Sequence, residues 1–182
     1  MRKKIIGCVL MATMMLAGCA SKEKTITDQP KSSTESTTAE STTASASSYS
    51  GYVFESGSVS IQMDAEAAPY LEQLGEEESY YEASSCAFGD LDKVYTYNGF
   101  ELDTYQVDGV DYVSAVILLD DTVTTPEGLS IGDSADKVTE LYGAATTSDV
   151  TQMVYEKEDM KLIILLQDEV VTSIQYTSRV LD

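Results

Sequence analysis

The residues with the most reactive side chains exclude several kinds of catalysis. The chain has 182 residues, three of which are cysteines, and it contains no histidine. A Ser-His-Asp triad is therefore impossible, and a zinc site of the usual kind is excluded. A catalytic cysteine usually needs a base such as histidine beside it. We therefore expect Cys86, in the segment ASSCAFG, to be a small, buried and inert thiol.

Carboxylates are the abundant polar groups, and they limit the choice of partners. Residues 52–182 contain 27 Asp and Glu against five Lys and Arg. Nucleic acid and anionic lipid are both bound through cationic contacts, so this segment is a poor partner for either. Two acids could in principle act together on a glycosidic bond, but no pair is distinguished by its position. The charge fits a solvated surface, a cationic partner or loosely held divalent cations.

One acidic segment has a superficial likeness to a calcium loop. An EF-hand needs an oxygen ligand at its fifth position and glycine at its sixth. In DLDKVYTYNGFE, residues 90–101, those positions hold Val94 and Tyr95. The segment is therefore not an EF-hand, and neither a metal site nor a cofactor is predicted. Weak calcium binding remains an alternative for Asp90, Asp92, Asp120 and Asp121.

Two tyrosines are candidates for a binding surface. Tyr95 and Tyr97 alternate in a strand-like segment and therefore lie on the same face of it. Tyrosine is favoured at recognition surfaces because it combines a large ring with a polar tip. It is also a common strand residue that fills the core of a sheet protein. The sequence leaves both roles open.

In the segment MKLIILLQ, residues 160–167, apolar residues occur on both faces that an alternating strand would have. One alternation comprises Leu162, Ile164 and Leu166, and the other comprises Ile163 and Leu165. A strand with one face in water should instead alternate apolar and polar residues. If helices cover only one face of the sheet, Ile163 and Leu165 form an apolar patch of the kind that marks interaction sites. The alternative is that both faces of the strand are buried.

The N-terminal residues have the order of a secretion signal. The positive MRKK precedes an apolar segment that is shorter than the 20 or so residues needed to span a bilayer. It ends in LAGC, residues 16–19, which resembles the lipobox of bacterial lipoproteins. The resemblance implies a signal peptide over residues 1–18, cleavage before Cys19, and attachment of a diacylglyceryl group to that cysteine. Two or more acyl chains on one cysteine would make the anchor stable, since a single chain binds only marginally.

Residues 19–51 follow as a Ser/Thr-rich segment. It has too little apolar surface to offset the entropy of ordering the chain, so we expect a disordered tether after the acylated cysteine. Tethers of this kind hold a domain away from the membrane and are common on lipoproteins that stand out into a cell wall. The predicted location is the outer side of the cell membrane, with a Gram-positive source favoured.

The segment EGLSIGDSADKVTELYG, residues 127–143, indicates a short amphipathic helix. It lacks the Lys-Ser/Thr pair of a phosphate-binding loop. Asp133 or Ser134 suits the N-cap, Val138 and Tyr142 share an apolar stripe, and Gly143 suits the C-terminal end. We therefore interpret the segment as a packing unit rather than a ligand loop.

A similar order of residues occurs upstream in SVSIQMDAEAAPYLEQLG, residues 58–75. Val59–Ile61 match Leu129–Ile131, and Leu74–Gly75 match Tyr142–Gly143, with a spacing that differs by two residues. Strand-like segments separated by turn signals such as NG and DG follow each copy. These features predict an α+β fold in residues 52–182. Two strand–helix–strands repeats, 52–120 and 121–182, would place short helices on one face of an antiparallel sheet.

The second copy also resembles a known motif. The positions Gly132, Ser134, Val138, Tyr142 and Gly143 are similar to the signature of the β-lactamase-inhibitor-like and small outer-membrane-assembly lipoprotein superfamily. Its members are binding or assembly modules rather than enzymes, with helices on one side of an antiparallel sheet.

The resemblance and the residues together predict a membrane-anchored lipoprotein that acts as a non-catalytic binding module, with an extracytoplasmic protein as its partner. One alternative is a small-ligand or cation-sensing module on the same scaffold. The other is a hydrolase without a recognisable motif.

Overall fold

The computed structural model describes residues 49–86 and 90–182. The predicted signal peptide, Cys19 and nearly all of the tether lie outside the described residues. Within the two described ranges, no helix is long and apolar enough to cross a membrane.

The described part consists mainly of antiparallel strands. The strands are β1 (Phe54–Ser56), β2 (Val59–Ile61), β3 (Ser79–Ser84), β4 (Leu91–Tyr97), β5 (Phe100–Val107), β6 (Val110–Leu118), β7 (Thr147–Ser148), β8 (Gln152–Lys157), β9 (Met160–Gln167) and β10 (Val170–Ser178). The helices are α1 (Ala68–Leu74) and α2 (Ala135–Tyr142), and a short 3-10 helix spans Arg179–Leu181.

Eight of these strands form one antiparallel sheet in the order β3-β4-β5-β6-β10-β9-β8-β7, while β1 and β2 form a separate hairpin. The predicted segments FELDTYQV and MKLIILLQ coincide with β5 and β9. The DG signal also forms the tight turn expected of it. Asp108 and Gly109 have φ angles of 53° and 79°, as a two-residue hairpin turn with both central residues left-handed requires.

The strand order is mirrored about the centre of the sheet, where β6 pairs with β10. The chain before each helix makes the same backbone contacts. Asp64 N–H donates to the carbonyl of Val113, just as Gly132 N–H donates to that of Val171. Ala67 N–H likewise donates to Asp111 (2.8 Å), and Ala135 N–H donates to Glu169 (2.9 Å).

These contacts correct the predicted alignment of the two copies. Asp64 and Gly132, like Ala67 and Ala135, lie 68 positions apart. The same offset pairs Gly75 with Gly143, so the spacing is constant over this stretch. Ile61 therefore corresponds to Leu129, and both are fully buried, whereas the sequence comparison had matched Ile61 to Ile131.

The predicted α+β architecture, two strand–helix–strands repeats with helices covering the sheet, is wrong. The protein is mostly antiparallel β, with an eight-stranded and a two-stranded sheet. The helices are too short to form the covering layer: α1 has seven residues and none is buried, and α2 has eight, of which Val138 alone is buried. Residues before α2 also form turns instead of the strand that the repeat predicted.

The core lies between one face of the large sheet and the β1–β2 hairpin with its adjoining helices. Phe54 of the hairpin is fully buried, with ring centroids 4.9 Å from Phe100 and 5.8 Å from Tyr176. The hairpin also buries Val59 and Ile61. The cover is therefore built more from strand residues than from helix residues, which leaves the opposite face of the sheet for consideration as a site.

Candidate functional site

The face of the sheet opposite the core is called the open face here. Along β9, Leu162 and Ile164 are fully buried in the core. Ile163 and Leu165 point the other way, are half-buried, and lie outside the core cluster. The structure thus separates the two alternations of MKLIILLQ and places Ile163 and Leu165 together on the open face.

The open face mixes apolar and polar side chains in rows across the strands. One row consists of Thr96, Glu101, Ile117, Gln175, Ile163 and Val154. Three apolar residues are buried without belonging to the core cluster, namely Tyr105, Ala115 and Val154. Their burial shows that side chains on this face shield one another even though the core lies on the other side.

Asp103 occupies the next row of the open face, between Val94 and Ala115. Its Oδ1 atom is buried and has no hydrogen-bond partner among the described residues. Burial, together with the nearby carboxylates of Glu101 and Asp92, raises the pKa of the Asp103 carboxyl to about 6. A buried carboxylate without a partner is costly, and a cation or hydrogen-bond donor arriving from outside would relieve that cost.

The cations of the described part are all engaged elsewhere. Lys93 pairs with Asp111 at 2.7 Å, Lys137 with Asp133 at 2.8 Å, Lys161 with Asp182 at 2.6 Å, Arg179 with Glu156 at 3.6 Å, and Lys157 lies 5.2 Å above the ring of Tyr52. The side chains of Asp103 and Glu101 therefore receive no ion pair from this set; Lys161, which shares the row and face of Asp103 three strands away, is paired with Asp182.

A cleft of about 630 Å³ is lined by residues from before β6 and from after β8. Its lining residues are Asp64, Tyr105, Asp159, Arg179, Val180 and Asp182. The hydroxyls of Tyr105 (3.1 Å) and Ser178 (2.6 Å) both donate to Oδ1 of Asp64. Burial, followed by the charge of Asp64, raises the pKa of Tyr105 to about 12, so the phenol stays protonated and keeps donating.

Asp64 is not a glycine, unlike Gly132, the residue that makes the equivalent backbone contact before α2. Gly132 has a φ of 92°, which glycine adopts without cost, while Asp64 holds a φ of 60°. Aspartate tolerates this left-handed conformation better than most residues but not freely. Asp64 was not a predicted site residue, because the predicted alignment of the two copies is displaced by two residues. The constant offset to Gly132 is the signal that would have found it.

The two candidate tyrosines share a face, as predicted, but it is the core face. Tyr97 is only 7% exposed, and its ring stacks on Phe100 at 5.2 Å. Tyr95 is half-buried against the core and contacts the ring of Tyr80 at 5.1 Å. Tyr95 and Tyr97 are therefore not brought together with Ile163 and Leu165, and Tyr97 presents no exposed ring to a partner.

The motif residues of the second copy form a packing unit around α2. The Ser134 side chain accepts a hydrogen bond from Lys137 N–H at 3.3 Å, and Gly143 ends the helix with a φ of 75°. Val138 is fully buried, and the Tyr142 hydroxyl lies 2.7 Å from both the Thr125 hydroxyl and the Glu127 carboxylate. Together with Gly132 in the preceding turn, these contacts support a structural role for the motif.

Cys86 lies at the end of β3 and is exposed. The prediction of a buried thiol is wrong, because Cys86 lies two residues beyond the edge strand β3 with its side chain exposed. Of the acids considered for calcium, Asp120 instead accepts hydrogen bonds from the backbone N–H and the hydroxyl of Thr122. Across residues 49–86 and 90–182, no three His, Cys, Asp or Glu side chains are grouped to hold a metal ion.

Comparisons with known proteins show no family for this chain. No family model matches the sequence, and no curated protein is similar to it. Among solved structures, the chain is similar to a cysteine-rich secretory protein from Staphylococcus aureus subsp. aureus Mu50, with 11% identity and a TM-score of 0.48. The likeness covers 64% of this chain and 44% of that protein, so the chain spans less than half of its length. A likeness this distant supports no statement about function.

Proposed function

We propose that the protein is a membrane-anchored extracytoplasmic lipoprotein whose folded part is a non-catalytic module that binds a protein partner through the open face of its sheet. The observation that carries the proposal is Asp103, a half-buried carboxyl with an unpartnered oxygen in the middle of that face. Four buried side-chain oxygens among the described residues lack a hydrogen-bond partner, and that of Asp103 is the one on the open face, which favours a contact made on binding.

Other side chains on the open face support a partner with both apolar and cationic groups. Ile163 and Leu165 supply half-buried apolar area on the same face, while Glu101 adds a second acid two positions from Asp103. An interface with an apolar centre and one buried charged contact is the usual form of a protein-binding surface. A Lys or Arg from the partner would pair with Asp103 and lower the cost of its charge.

Cross-linking in the native cells, followed by purification of the full-length protein, tests this proposal. Wild type should retain a protein partner in a fixed ratio, Ile163→Asp should lose it, and Asp103→Asn should retain at least tenfold less. Glu140→Lys, on the exposed side of α2, serves as the control and should retain the partner. Equal recovery with wild type and Ile163→Asp would remove the open face from the proposal.

The anchor is tested separately at Cys19. The LAGC segment supports acylation of this cysteine, so wild type should incorporate labelled fatty acid and partition into a detergent phase. Cys19→Ala should do neither. Fatty-acid labelling of Cys19→Ala at the wild-type level would show that the lipobox interpretation is wrong while leaving the binding proposal untouched.

The cleft at Asp64 favours one second candidate, a module that senses a small ligand. Its volume of about 630 Å³ falls in the range of small-molecule sites, and the carboxylate of Asp64 is oriented by two hydroxyls. A small cationic ligand would suit this carboxylate. A ligand that binds only the folded state raises the melting temperature, so an effect of small amines that disappears in Asp64→Asn would support this candidate.

A further inference from the structure

The two edges of the large sheet differ in a way that the repeat does not require. β3 and β7 follow equivalent helices and occupy opposite edges of the sheet. β7 has two residues, whereas β3 has six and pairs with β4 without a register shift, from Ser79 opposite Thr96 to Ser84 opposite Leu91. Among the described residues, no strand pairs with the outer side of β3.

Natural proteins protect edge strands by keeping them short or by adding lysine, proline or a bulge. β7 is protected because it is only two residues long. β3, with the sequence SYYEAS, contains neither lysine nor proline and keeps one register from Ser79 to Ser84; its irregularity is confined to its start, where Glu78 N–H also bonds to the Thr96 carbonyl. A regular edge of this length is the kind of structure that accepts an additional strand from a partner.

The hydrogen-bond pattern identifies the backbone groups that are directed outward. Ser85 N–H donates to the Asp90 carbonyl at 2.7 Å, so the residues that bond to β4 alternate from Ser85 back along β3. In an antiparallel ladder, the intervening residues direct their N–H and C=O groups to the other side. Tyr80, Glu82 and Ser84 therefore offer six backbone groups to an added strand.

The side chains at this edge are exposed and acidic. Tyr80 and Tyr81 are 44% and 66% exposed, and the Tyr80 hydroxyl donates to Glu82. Three consecutive acids, Glu76, Glu77 and Glu78, precede the strand. The basic side chain of the β3–β4 pair, Lys93, is already bound to Asp111.

This charge selects among the possible occupants of the edge. A second copy of the chain would bring the same acids against themselves, which opposes pairing of β3 with β3. A segment rich in Lys or Arg would gain ion pairs with the acids and could place its cations on the exposed tyrosine rings.

We propose that β3 is a strand-addition site that takes an extended cationic segment of a protein partner as a ninth strand. The inference rests on the proposed function in that the partner is a protein. It concerns a different surface from the open face, so the two are tested with different variants.

The test uses the full-length chain in detergent and a nine-residue peptide that alternates Lys and Val. A second peptide has the same sequence but carries methyl groups on its central backbone nitrogens, which removes their hydrogen-bond donors and keeps the charge. The first peptide should bind at least tenfold more tightly than the second. The outward amides of Tyr80, Glu82 and Ser84 should gain at least tenfold protection from hydrogen exchange on saturation, with no change at residues 147–148.

Two variants at one position separate the backbone contact from the charge. Glu82→Pro removes an outward N–H at an edge position, where proline is tolerated, and should weaken peptide binding at least tenfold. Glu82→Gln keeps that N–H, so its loss should be two- to threefold. The exchange measurement on wild type decides the matter if Glu82→Pro fails to fold.

Several outcomes would overturn the proposal. Equal affinity for the two peptides would show a purely electrostatic contact, and unchanged exchange at residues 79–84 under saturating peptide would place binding elsewhere. Protection that rises with protein concentration alone would make a second copy the occupant. Protection in the free protein that is lost when residues 20–48 are removed would make the tether the occupant. Strand addition by the peptide without partner capture in cells would instead count against the proposed function.

Discussion

Replacing Asp103 with asparagine should stabilise the folded domain at neutral pH. Its pKa is raised from 3.8 to about 6, and each pKa unit corresponds to about 1.36 kcal/mol. The charged carboxylate therefore costs the folded state about 3 kcal/mol at pH 7.5, which is a large part of the 5–15 kcal/mol that typically separates folded from unfolded protein. Asparagine has the same shape without the charge, so Asp103→Asn should remove most of this cost.

The sign of the effect gives it a characteristic pH dependence. Because the folded-state pKa is raised, the protonated carboxyl favours folding below pH 3.8, and this advantage is lost as the pH rises through 6. The stability difference between Asp103→Asn and wild type should thus be about 3 kcal/mol at pH 7.5 and about 1 kcal/mol at pH 4.5.

Urea unfolding of the two proteins at both pH values measures this difference, with Asp121→Asn as a matched control at an exposed aspartate. The control should change stability by less than about 0.5 kcal/mol at either pH. If Asp103→Asn destabilises the domain, or changes its stability equally at the two pH values, the Asp103 carboxylate is satisfied in the folded state. Asp103 would then have no need of a cation from a partner.

Three other predictions concern Asp64, the two faces of β9, and Cys86. Asp64→Gly and Asp64→Ala both lose the two hydroxyl hydrogen bonds, but only glycine adopts the left-handed φ without strain. Urea unfolding should therefore show the glycine variant to be about 1 kcal/mol more stable than the alanine variant, and equal stability would argue against strain at this position. Leu162→Asp should unfold the domain because it buries an unpaired charge, whereas Ile163→Asp should leave the melting temperature nearly unchanged; calorimetry that finds both unfolded would mean that the open face is packed. Cys86 should react with a thiol reagent in the native protein nearly as fast as in urea, and slow native labelling would contradict its exposure.

The strands were the most predictable part of the fold. β5 and β9 have the bounds of the segments FELDTYQV and MKLIILLQ, because turn signals fix where a hairpin strand must stop. The helix α2 was predictable from Ser134 and Gly143 for a similar local reason, since a capping side chain and a left-handed terminal residue each act within one turn.

The fold class was not predictable from the same signals. Whether helices or strands cover a sheet depends on how much apolar area each one buries, and that is a property of the packed molecule. The hairpin segment around Phe54 reads as polar and short, yet it fills the centre of the core. The helix patterns are locally strong, but the two helices together bury only Val138.

The candidate site was predictable in part. Alternation along β9 separated Ile163 and Leu165 from the core residues, because strand geometry alone decides which side chains share a face. The same rule placed Tyr95 and Tyr97 together but could not tell which face was the core. Asp103 was missed because its pKa depends on burial and on acids brought near by strand pairing.

The most direct test of the open face as the docking surface is a photo-crosslinker placed on it in the native cells. Position 175 suits this purpose because Gln175 lies in the row between Ile117 and Ile163, and position 140 on α2 is the control. Irradiation should link one protein with a basic contact surface in high yield from position 175 and none from position 140. Cross-links from position 140 alone, or from neither position while the partner still co-purifies, would contradict binding at the open face.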